Sequence, residues 1–127
     1  MQLSFLNAEY AICRLPASVD VPLWAMQGKF FSITRTEDEL SFVCEQSSVR
    51  EEEPQMKVER GWRCLKLHGP IPFETTGVIA SLTKPLADAG VSVFVVSTFD
   101  TDYLLVRSVA VEHAIQILRT AGNEIQN

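Results

Sequence analysis

Two stretches of this sequence match each other without a gap, and this internal repeat restricts the chain to folds that can be built twice. Each stretch has two apolar runs around a polar turn, which is typical of a β-hairpin. A copy of about 60 residues is too small to bury a sheet face well alone, so we expect the copies to share a core or pair their sheets. The matched pairs, always 63 residues apart, are Phe31 with Phe94, Ile33 with Val96, Glu37 with Asp100, Glu39 with Asp102 and Val43 with Val106.

The second copy is the clearer one and predicts the order strand, helix, strand, strand, helix and short last strand. Its first strand covers residues 56–68, with Leu65 and Leu67 facing the core. Apolar residues then recur at helical spacing from Val78 until Gly90, with a kink or local break expected at Pro85. Residues 91–96 are apolar almost throughout, which favours a central strand. The last helix buries an apolar face, and the last strand lies near residues 124–126.

The first copy is weaker. We expect two short strands at residues 3–6 and 10–15, then a short helix capped by Ser18 or Asp20. The polar segment 45–55 predicts a solvated loop or weak helix, because its like charges repel. The predicted class is α+β, with two tandem ferredoxin-like βαββαβ units whose antiparallel sheets carry helices on one face. The domains are residues 1–60, a degenerate unit, and residues 61–127.

Composition excludes several function classes. With 46% apolar and 21% charged residues the chain is globular rather than disordered. Its net charge of -5 argues against nucleic acid as a partner, which needs clustered Lys and Arg. Cys13, Cys44 and Cys64 form no Cys-x-x-Cys pair, so we expect reduced core thiols rather than disulfides or a metal site. No stretch predicts a signal peptide or membrane span, so we expect a cytoplasmic protein.

Polar residues cluster at two places that could converge at one end of the second copy, 74–77 before the helix and 97–102 between the two strands. A helix start with free N–H groups suits a carboxylate, and Asp102 suits an ammonium group. Short polar residues such as those at 100–102 also favour a plain hairpin turn. Asp100 and Asp102 could instead bind Mg²⁺ or Ca²⁺, although further oxygen ligands are not evident. We therefore predict a binding site with no cofactor and no metal.

Catalysis has little support in the sequence. There is no nucleophile elbow, phosphate loop or paired histidine motif. His113 falls on the polar side of the last helix, while His68 could line the pocket but would need a nucleophile and an orienting partner. Trp62 with its flanking arginines could stack on single-stranded nucleic acid, but it is better explained as an aromatic residue at a strand edge.

Three motifs in the second copy carry a family resemblance. They are Phe73-x-x-x-Gly77-Val78-Ile79-Ala80, Pro85-Leu86-Ala87-x-Ala89-Gly90 and Val96-Ser97-Thr98-Phe99-x-x-Asp102. Residues 62–118 resemble the ACT domains of the CASTOR arginine sensors and, more distantly, the regulatory domains of aspartate kinases. The resemblance implies a non-enzymatic regulator that binds a small ligand, an amino acid, at an interface between two ACT units.

The resemblance also implies which residues bind. Thr98, Phe99 and Asp102 carry over by position, with Asp102 as the partner of the ligand's positive group. An acidic residue of the arginine sensors is replaced by Thr75, so arginine is not specified. With the helix start included, the predicted ligand-binding residues are Glu74, Thr75, Thr76, Gly77, Ser97, Thr98, Phe99 and Asp102. The expected partners are an amino acid, a second copy of the chain and a regulated protein; the alternative is a ligand-free protein interaction module of the same fold.

Overall fold

The computed structural model describes residues 1–126, and these form two compact units. The N-unit is Ala8–Trp62, and the C-unit combines Met1–Asn7 with the chain from Arg63 onward. The boundary at Trp62 lies two residues from the expected division at residue 60, but the first seven residues group with the C-unit. Asn127, the last residue of the expected second domain, lies outside the described residues.

The C-unit has the predicted order of elements, and the α+β ferredoxin-like class is confirmed. After β4 (Lys57–Leu67) come α1 (Val78–Asp88), β5 (Phe94–Ser97), β6 (Asp102–Arg107), α2 (Val111–Thr120) and β7 (Glu124–Gln126). The first residues of β1 (Gln2–Leu15) also belong to this sheet, whose order is β7-β1-β4-β6-β5. β5 and β6 are antiparallel, and β7 is parallel to β1.

The core of the C-unit lies between the helices and the sheet. Leu82 and Leu86 of α1 and Leu118 of α2 are fully buried, because their spacing places them on one face of each helix. Leu65 and Leu67 of β4 join the same core, as predicted. α1 continues without a break through Pro85, so a local break is wrong; the kink stays a prediction.

The end of α1 corrects the prediction of a central strand over residues 91–96. Gly90 has a φ of +78°, and the amide of Val91 still donates to the carbonyl of Leu86 at 2.9 Å. These residues therefore complete the helix cap instead of starting a strand. β5 begins only at Phe94 and lies at the end of the strand order, with β6 as its neighbour.

The N-unit consists of the second part of β1, β2 (Ser32–Arg35) and β3 (Leu40–Glu45), in the order β2-β3-β1. Its core is formed by Phe42, Leu15, Leu40 and their neighbours. β1 is one strand of 14 residues. The prediction of two short strands, at residues 3–6 and 10–15, is therefore wrong. Apolar and polar residues keep alternating across these positions, and no glycine or proline interrupts the strand.

Helices are reduced to short 3-10 turns in the N-unit. The predicted helix after Pro16 is only Leu23–Met26; its N-cap is Pro22, with no side-chain hydrogen bond from Ser18 or Asp20. Segment 45–55 contains one further 3-10 turn, Gln46–Ser48, and is otherwise a loop. Within the described residues the N-unit therefore has no α-helix, and its origin as a degenerate copy stays a prediction.

The strand registers of the two hairpins correspond at an offset of 62 residues, one less than the sequence alignment predicts. Arg35 pairs with Leu40 and Ser97 pairs with Asp102, so each pair closes a turn of four residues. The 63-residue alignment matched aromatic and acidic residues, but a shift of one residue exchanges the two faces of a strand. Each residue pair of the 63-residue alignment is therefore shifted by one residue relative to the observed strand register.

β4 is buried along both faces near its middle. Trp62 is 6% exposed and Cys64 is fully buried, although only the opposite face was expected to meet the core. Arg63 is half-buried, with its guanidinium carbon 5.1 Å from the centre of the Phe5 ring. Trp62 is therefore not available for stacking on a nucleic acid base. Across residues 1–126, every helix is too short or too polar to cross a lipid bilayer.

Candidate ligand-binding site

An open cleft of about 620 Å³ lies in the C-unit between the start of α1 and the turn that joins β5 to β6. We call it the α1 cleft. Its size falls within the range of about 300–1,000 Å³ that is usual for small-molecule sites. The residues that line it are Ile71, Pro72, Phe73, Thr75, Gly77, Val78, Ile79, Ala80, Thr83, Ser97, Thr98, Phe99, Asp100, Thr101 and Asp102.

The turn over residues 98–101 is held from inside by its two threonines. The amide of Thr98 donates to the carbonyl of Thr101 at 2.8 Å, and the amide of Thr101 donates to the hydroxyl of Thr98 at 3.3 Å. Thr101 is only 6% exposed, and its hydroxyl donates to the carbonyl of Leu67 at 2.6 Å. These bonds fix the turn against the end of β4 before any ligand binds.

The segment before α1 is attached to the same turn. The amide of Ile71 donates to the carbonyl of Asp100 at 2.7 Å. Gly69 lies so close that a Cβ atom there would be 2.9 Å from this carbonyl oxygen and 3.1 Å from the Cβ of Thr101. Glycine is therefore required for the close approach of the two walls of the cleft.

Asp102 supplies a carboxylate at the base of the turn. Its Oδ1 accepts a hydrogen bond of 2.6 Å from the hydroxyl of Ser97 on the paired strand. Asp102 is half-buried while Ser97 is exposed, so the carboxylate is oriented but still reachable from the cleft. A carboxylate held in this way can accept charge-assisted hydrogen bonds from an ammonium group.

The start of α1 forms the facing wall. Gly77 is the N-cap residue, with a φ of +79°, and no side chain caps the helix. The first bond of the helix runs from the amide of Ser81 to the carbonyl of Gly77 at 2.9 Å. The amides of Val78, Ile79 and Ala80 precede that bond and have no partner within the helix, so they present a partial positive charge to the cleft.

Two phenylalanines lie together at the edge of the cleft. Phe73 and Phe99 are 70% and 78% exposed, and their ring centres are 4.7 Å apart at an interplanar angle of 80°. Such an edge-to-face pair is favourable, but two exposed rings are unusual for a surface without a ligand or partner. Phe73 lines the cleft but is not among the site residues predicted from the sequence; its apolar side chain between Pro72 and Glu74 was the available signal.

Most of the predicted site residues come together, although their binding of a ligand stays a prediction. Glu74 and Thr76 are exposed and are not among the residues that line the cleft. His68 does not line it either; its Nε2 is 2.9 Å from the hydroxyl of Ser4. The six predicted residues that do line the cleft are Thr75, Gly77, Ser97, Thr98, Phe99 and Asp102.

The charge of the cleft is negative on its turn side. Asp100 and Asp102 line it, whereas the described lining includes no lysine, arginine or histidine. A ligand carboxylate would therefore have to be bound by the backbone amides at the start of α1. Within residues 1–126 there is no group of three or more His, Cys, Asp or Glu residues that could hold a metal ion.

The three cysteines lie away from the cleft and are free and buried, as predicted. Burial raises the pKa of the Cys64 thiol to about 12. Cys13 and Cys44 lie on neighbouring strands of the N-unit, and the hydrogen bond that Cys13 donates to Cys44 raises the pKa of Cys13 and lowers that of Cys44. Because all three are buried, none has the accessible thiolate that a nucleophile requires.

Comparisons with known proteins agree with this fold. A family model described as an ACT domain matches residues 57–120, and a second model, described as an N-terminal domain, matches residues 8–52. A protein from Agobacterium tumefaciens with a crystal structure is 45% identical in sequence to this chain. The two structures match with a TM-score of 0.91 over 98% of this chain and 91% of that one. The ligand-free regulatory subunit of aspartate kinase from Thermus thermophilus shares the fold at 10% identity, with a TM-score of 0.66 and coverage of 94% and 97%.

A curated relative extends the comparison to sensors. The cytosolic arginine sensor for mTORC1 subunit 1 from Mus musculus is 31% identical over 110 residues, which is 76% of this chain and 33% of the relative. This chain spans 18% to 33% of the length of the arginine sensors that it matches.

Proposed function

Because this chain belongs to the ACT-domain family, we propose that it is a non-enzymatic cytoplasmic sensor that binds a free amino acid in the α1 cleft. One observation carries the proposal: the oriented carboxylate of Asp102 and the uncapped start of α1 line the same cleft. These two walls have opposite charge character. A zwitterionic amino acid matches both walls at once.

Each polar group of the ligand has a partner in this arrangement. The ligand carboxylate accepts hydrogen bonds from the amides of Val78, Ile79 and Ala80, where the helix dipole favours a negative charge. The ligand ammonium group binds Asp102, whose Oδ1 is already oriented by Ser97. A hydrogen bond to a charged group contributes about 1.5–3 kcal/mol, so these contacts together can hold a small ligand.

A second copy of the chain would complete the site. The α1 cleft is open, and the rings of Phe73 and Phe99 stand at its edge with most of their surface exposed. A second ACT unit packed here would cover these rings and exclude water from the ligand. A homodimer whose ligand lies at an interface between ACT units would in turn allow ligand binding to alter contact with a regulated protein. The names of the arginine-sensor relatives support an amino acid as the ligand class.

The same exposed rings favour one alternative, a ligand-free module that binds a protein partner. β5 lies at the end of the strand order, and an end strand can pair with a strand of another chain. In that case Phe73 and Phe99 would be anchors for the partner, and Asp102 would only stabilise its hairpin through Ser97. The two functions differ in whether a free amino acid binds.

A thermal-shift screen of the full chain against the twenty amino acids tests the proposal. A ligand at about 100 times its dissociation constant stabilises the folded state by about 2.7 kcal/mol. We expect at least one amino acid to raise the melting temperature. Asp102→Ala should abolish that rise while the melting temperature without ligand stays nearly unchanged.

Asp88→Ala is the matched control, because Asp88 is an exposed carboxylate that contacts only Lys84 among its described hydrogen bonds. It should keep the full ligand-induced rise. If no amino acid changes the melting temperature, the ligand-free interaction module becomes the better account. If Asp102→Ala still responds fully, the ligand does not bind at this carboxylate.

A further inference from the structure

The N-unit contains a counterpart of the wall formed by the 98–101 turn. Arg35 and Ser97 each precede a four-residue turn and pair with the residue that follows it, Leu40 and Asp102 respectively. The internal bonds of the turns also correspond. In the 36–39 turn, the amide of Thr36 donates to the carbonyl of Glu39 at 2.9 Å, and the amide of Glu39 donates to the hydroxyl of Thr36 at 3.1 Å.

Arg35 crosses the space next to this turn. Its two terminal nitrogens donate to the carbonyls of Ala17 and Val19, the second bond being 2.8 Å long. Ala17 and Val19 follow β1 in the N-unit, as Ile71 follows β4 in the C-unit and lines the α1 cleft. The guanidinium group therefore joins the turn side to the segment that would form the opposite wall.

A second arginine closes the same turn. Nη2 of Arg14 donates to the carbonyl of Asp38 at 3.1 Å. The corresponding carbonyl in the C-unit belongs to Asp100 and accepts the backbone amide of Ile71. Side-chain guanidinium groups in the N-unit thus take over attachments that the backbone makes in the C-unit, and they occupy space beside the turn as they do so.

The N-unit differs at the two positions that would bind the ligand in the C-unit. Leu40 stands in the position of Asp102 and is fully buried, so no carboxylate is present there. The element that follows β1 is the four-residue turn Leu23–Met26 instead of an 11-residue helix. A helix start with several free amides is therefore missing as well.

We propose that the N-unit is a self-occupied copy of the ligand site, in which the guanidinium group of Arg35 lies in the space that corresponds to the α1 cleft and bonds to its opposite wall. The chain then offers one open site, in the C-unit, and this count of sites rests on the proposed function. The occupation of the N-unit by Arg35 does not depend on it, because it follows from contacts within residues 8–62.

Replacing Arg35 with the residue of the corresponding position tests this directly. Arg35→Ser should lower the melting temperature of the full chain by about 3–6 °C, since the carbonyls of Ala17 and Val19 lose their guanidinium donors. Millimolar methylguanidinium chloride, a small guanidinium probe, should restore at least half of that loss. In ¹⁵N-labelled Arg35→Ser, the probe should move amide signals of residues 17–20 and 36–40.

Three controls separate occupation of a site from general effects of the probe. In the wild type, methylguanidinium should neither raise the melting temperature nor move the amide signals of the N-unit, because Arg35 is in place. Arg60→Ser, which removes the exposed ion pair with Glu51, should not be restored by the probe. Arg35→Lys should lie between wild type and Arg35→Ser and bind no probe, because its stem still fills the space but an ammonium group cannot reproduce the fork.

An unchanged melting temperature in Arg35→Ser would overturn the proposal, as would equal responses of wild type and variant to the probe, or no response in either. Signals of residues 77–80 and 97–102 report on the α1 cleft in the same spectra. A failure of amino-acid binding there and a failure of the Arg35 proposal are therefore observed at different residues.

Discussion

The 36–39 and 98–101 turns have the same length, the same strand register and corresponding threonine-centred hydrogen bonds. The 98–101 turn borders the α1 cleft, whereas Arg35, next to the 36–39 turn, donates to the carbonyls of Ala17 and Val19. The difference lies in what attaches each turn to its unit. In the C-unit a buried threonine hydroxyl and a backbone amide make the attachment, which leaves open space beside it. In the N-unit two arginine side chains do so. Two hairpins of the same register can thus be attached to their units by different groups.

The helical elements that follow β4 in the C-unit and β1 in the N-unit also differ, since the C-unit offers several free backbone amides and the N-unit does not. In the C-unit a helix of 11 residues begins at the cleft with uncapped amides. In the N-unit the equivalent stretch forms only a four-residue turn after Pro22. The short turn cannot offer several parallel N–H groups, so it provides neither the dipole nor the donors that an anion requires.

The largest loss of stability should come from a substitution of Gly69, which allows the two walls of the α1 cleft to approach closely. Gly69→Val places side-chain atoms against the carbonyl of Asp100, since a Cβ alone would be 2.9 Å from it. We expect a loss of about 3 kcal/mol in the free energy of unfolding, measured by urea denaturation. Thr76→Ala, at an exposed position outside the cleft, should change it by less than about 0.5 kcal/mol. Equal stability of Gly69→Val and wild type would mean that the walls can separate freely.

Thr101 should have the next largest effect on stability, because its buried hydroxyl donates to the carbonyl of Leu67 at 2.6 Å. Thr101→Val keeps the shape but leaves that carbonyl without its donor, and should cost about 2 kcal/mol in urea denaturation. Thr101→Ser keeps the donor and removes one methyl group, so it should cost about 0.8 kcal/mol. The hydroxyl would be unimportant if the serine variant were the less stable of the two.

A smaller loss of stability than that of Thr101→Val should come from Thr36 and Thr98, the threonines at corresponding positions of the two turns. Thr36→Ala and Thr98→Ala each remove a hydroxyl that accepts a turn amide, at 3.1 Å and 3.3 Å respectively. Each should cost about 1 kcal/mol in the free energy of unfolding, and the two losses should agree closely. A clear difference between the two losses would show that the threonine hydroxyls do not stabilise their turns equally.

Much of the C-unit could be predicted from sequence, because its helices and strands have the regular apolar spacing that local physics requires. The helix stripe through Leu82 and Leu86 was predicted in this way. The six predicted residues that line the cleft came instead from the two polar clusters and from the family resemblance. The error at the start of β5 has a local cause. The start of β5 was placed too early, since apolar residues that complete a helix cap look like those of a strand.

The N-unit was harder to predict because long-range contacts decide its structure. Arg35 reads as an ordinary polar residue beside a turn, and nothing local indicates that it reaches the carbonyls of Ala17 and Val19. The offset of 63 residues likewise matched side-chain types, whereas the pairing of Arg35 with Leu40 depends on how the turn closes. Side-chain similarity alone does not determine strand register.

The most direct test of the central claim is a titration of the ¹⁵N-labelled full chain with each of the twenty amino acids, followed by amide NMR. We predict that the amino acid that binds will move the signals of residues 77–80 and 97–102 and leave those of residues 35–40 unchanged. Saturable changes confined to residues 35–40, or no saturable change in either region with any amino acid, would contradict the assignment of the ligand site to the C-unit.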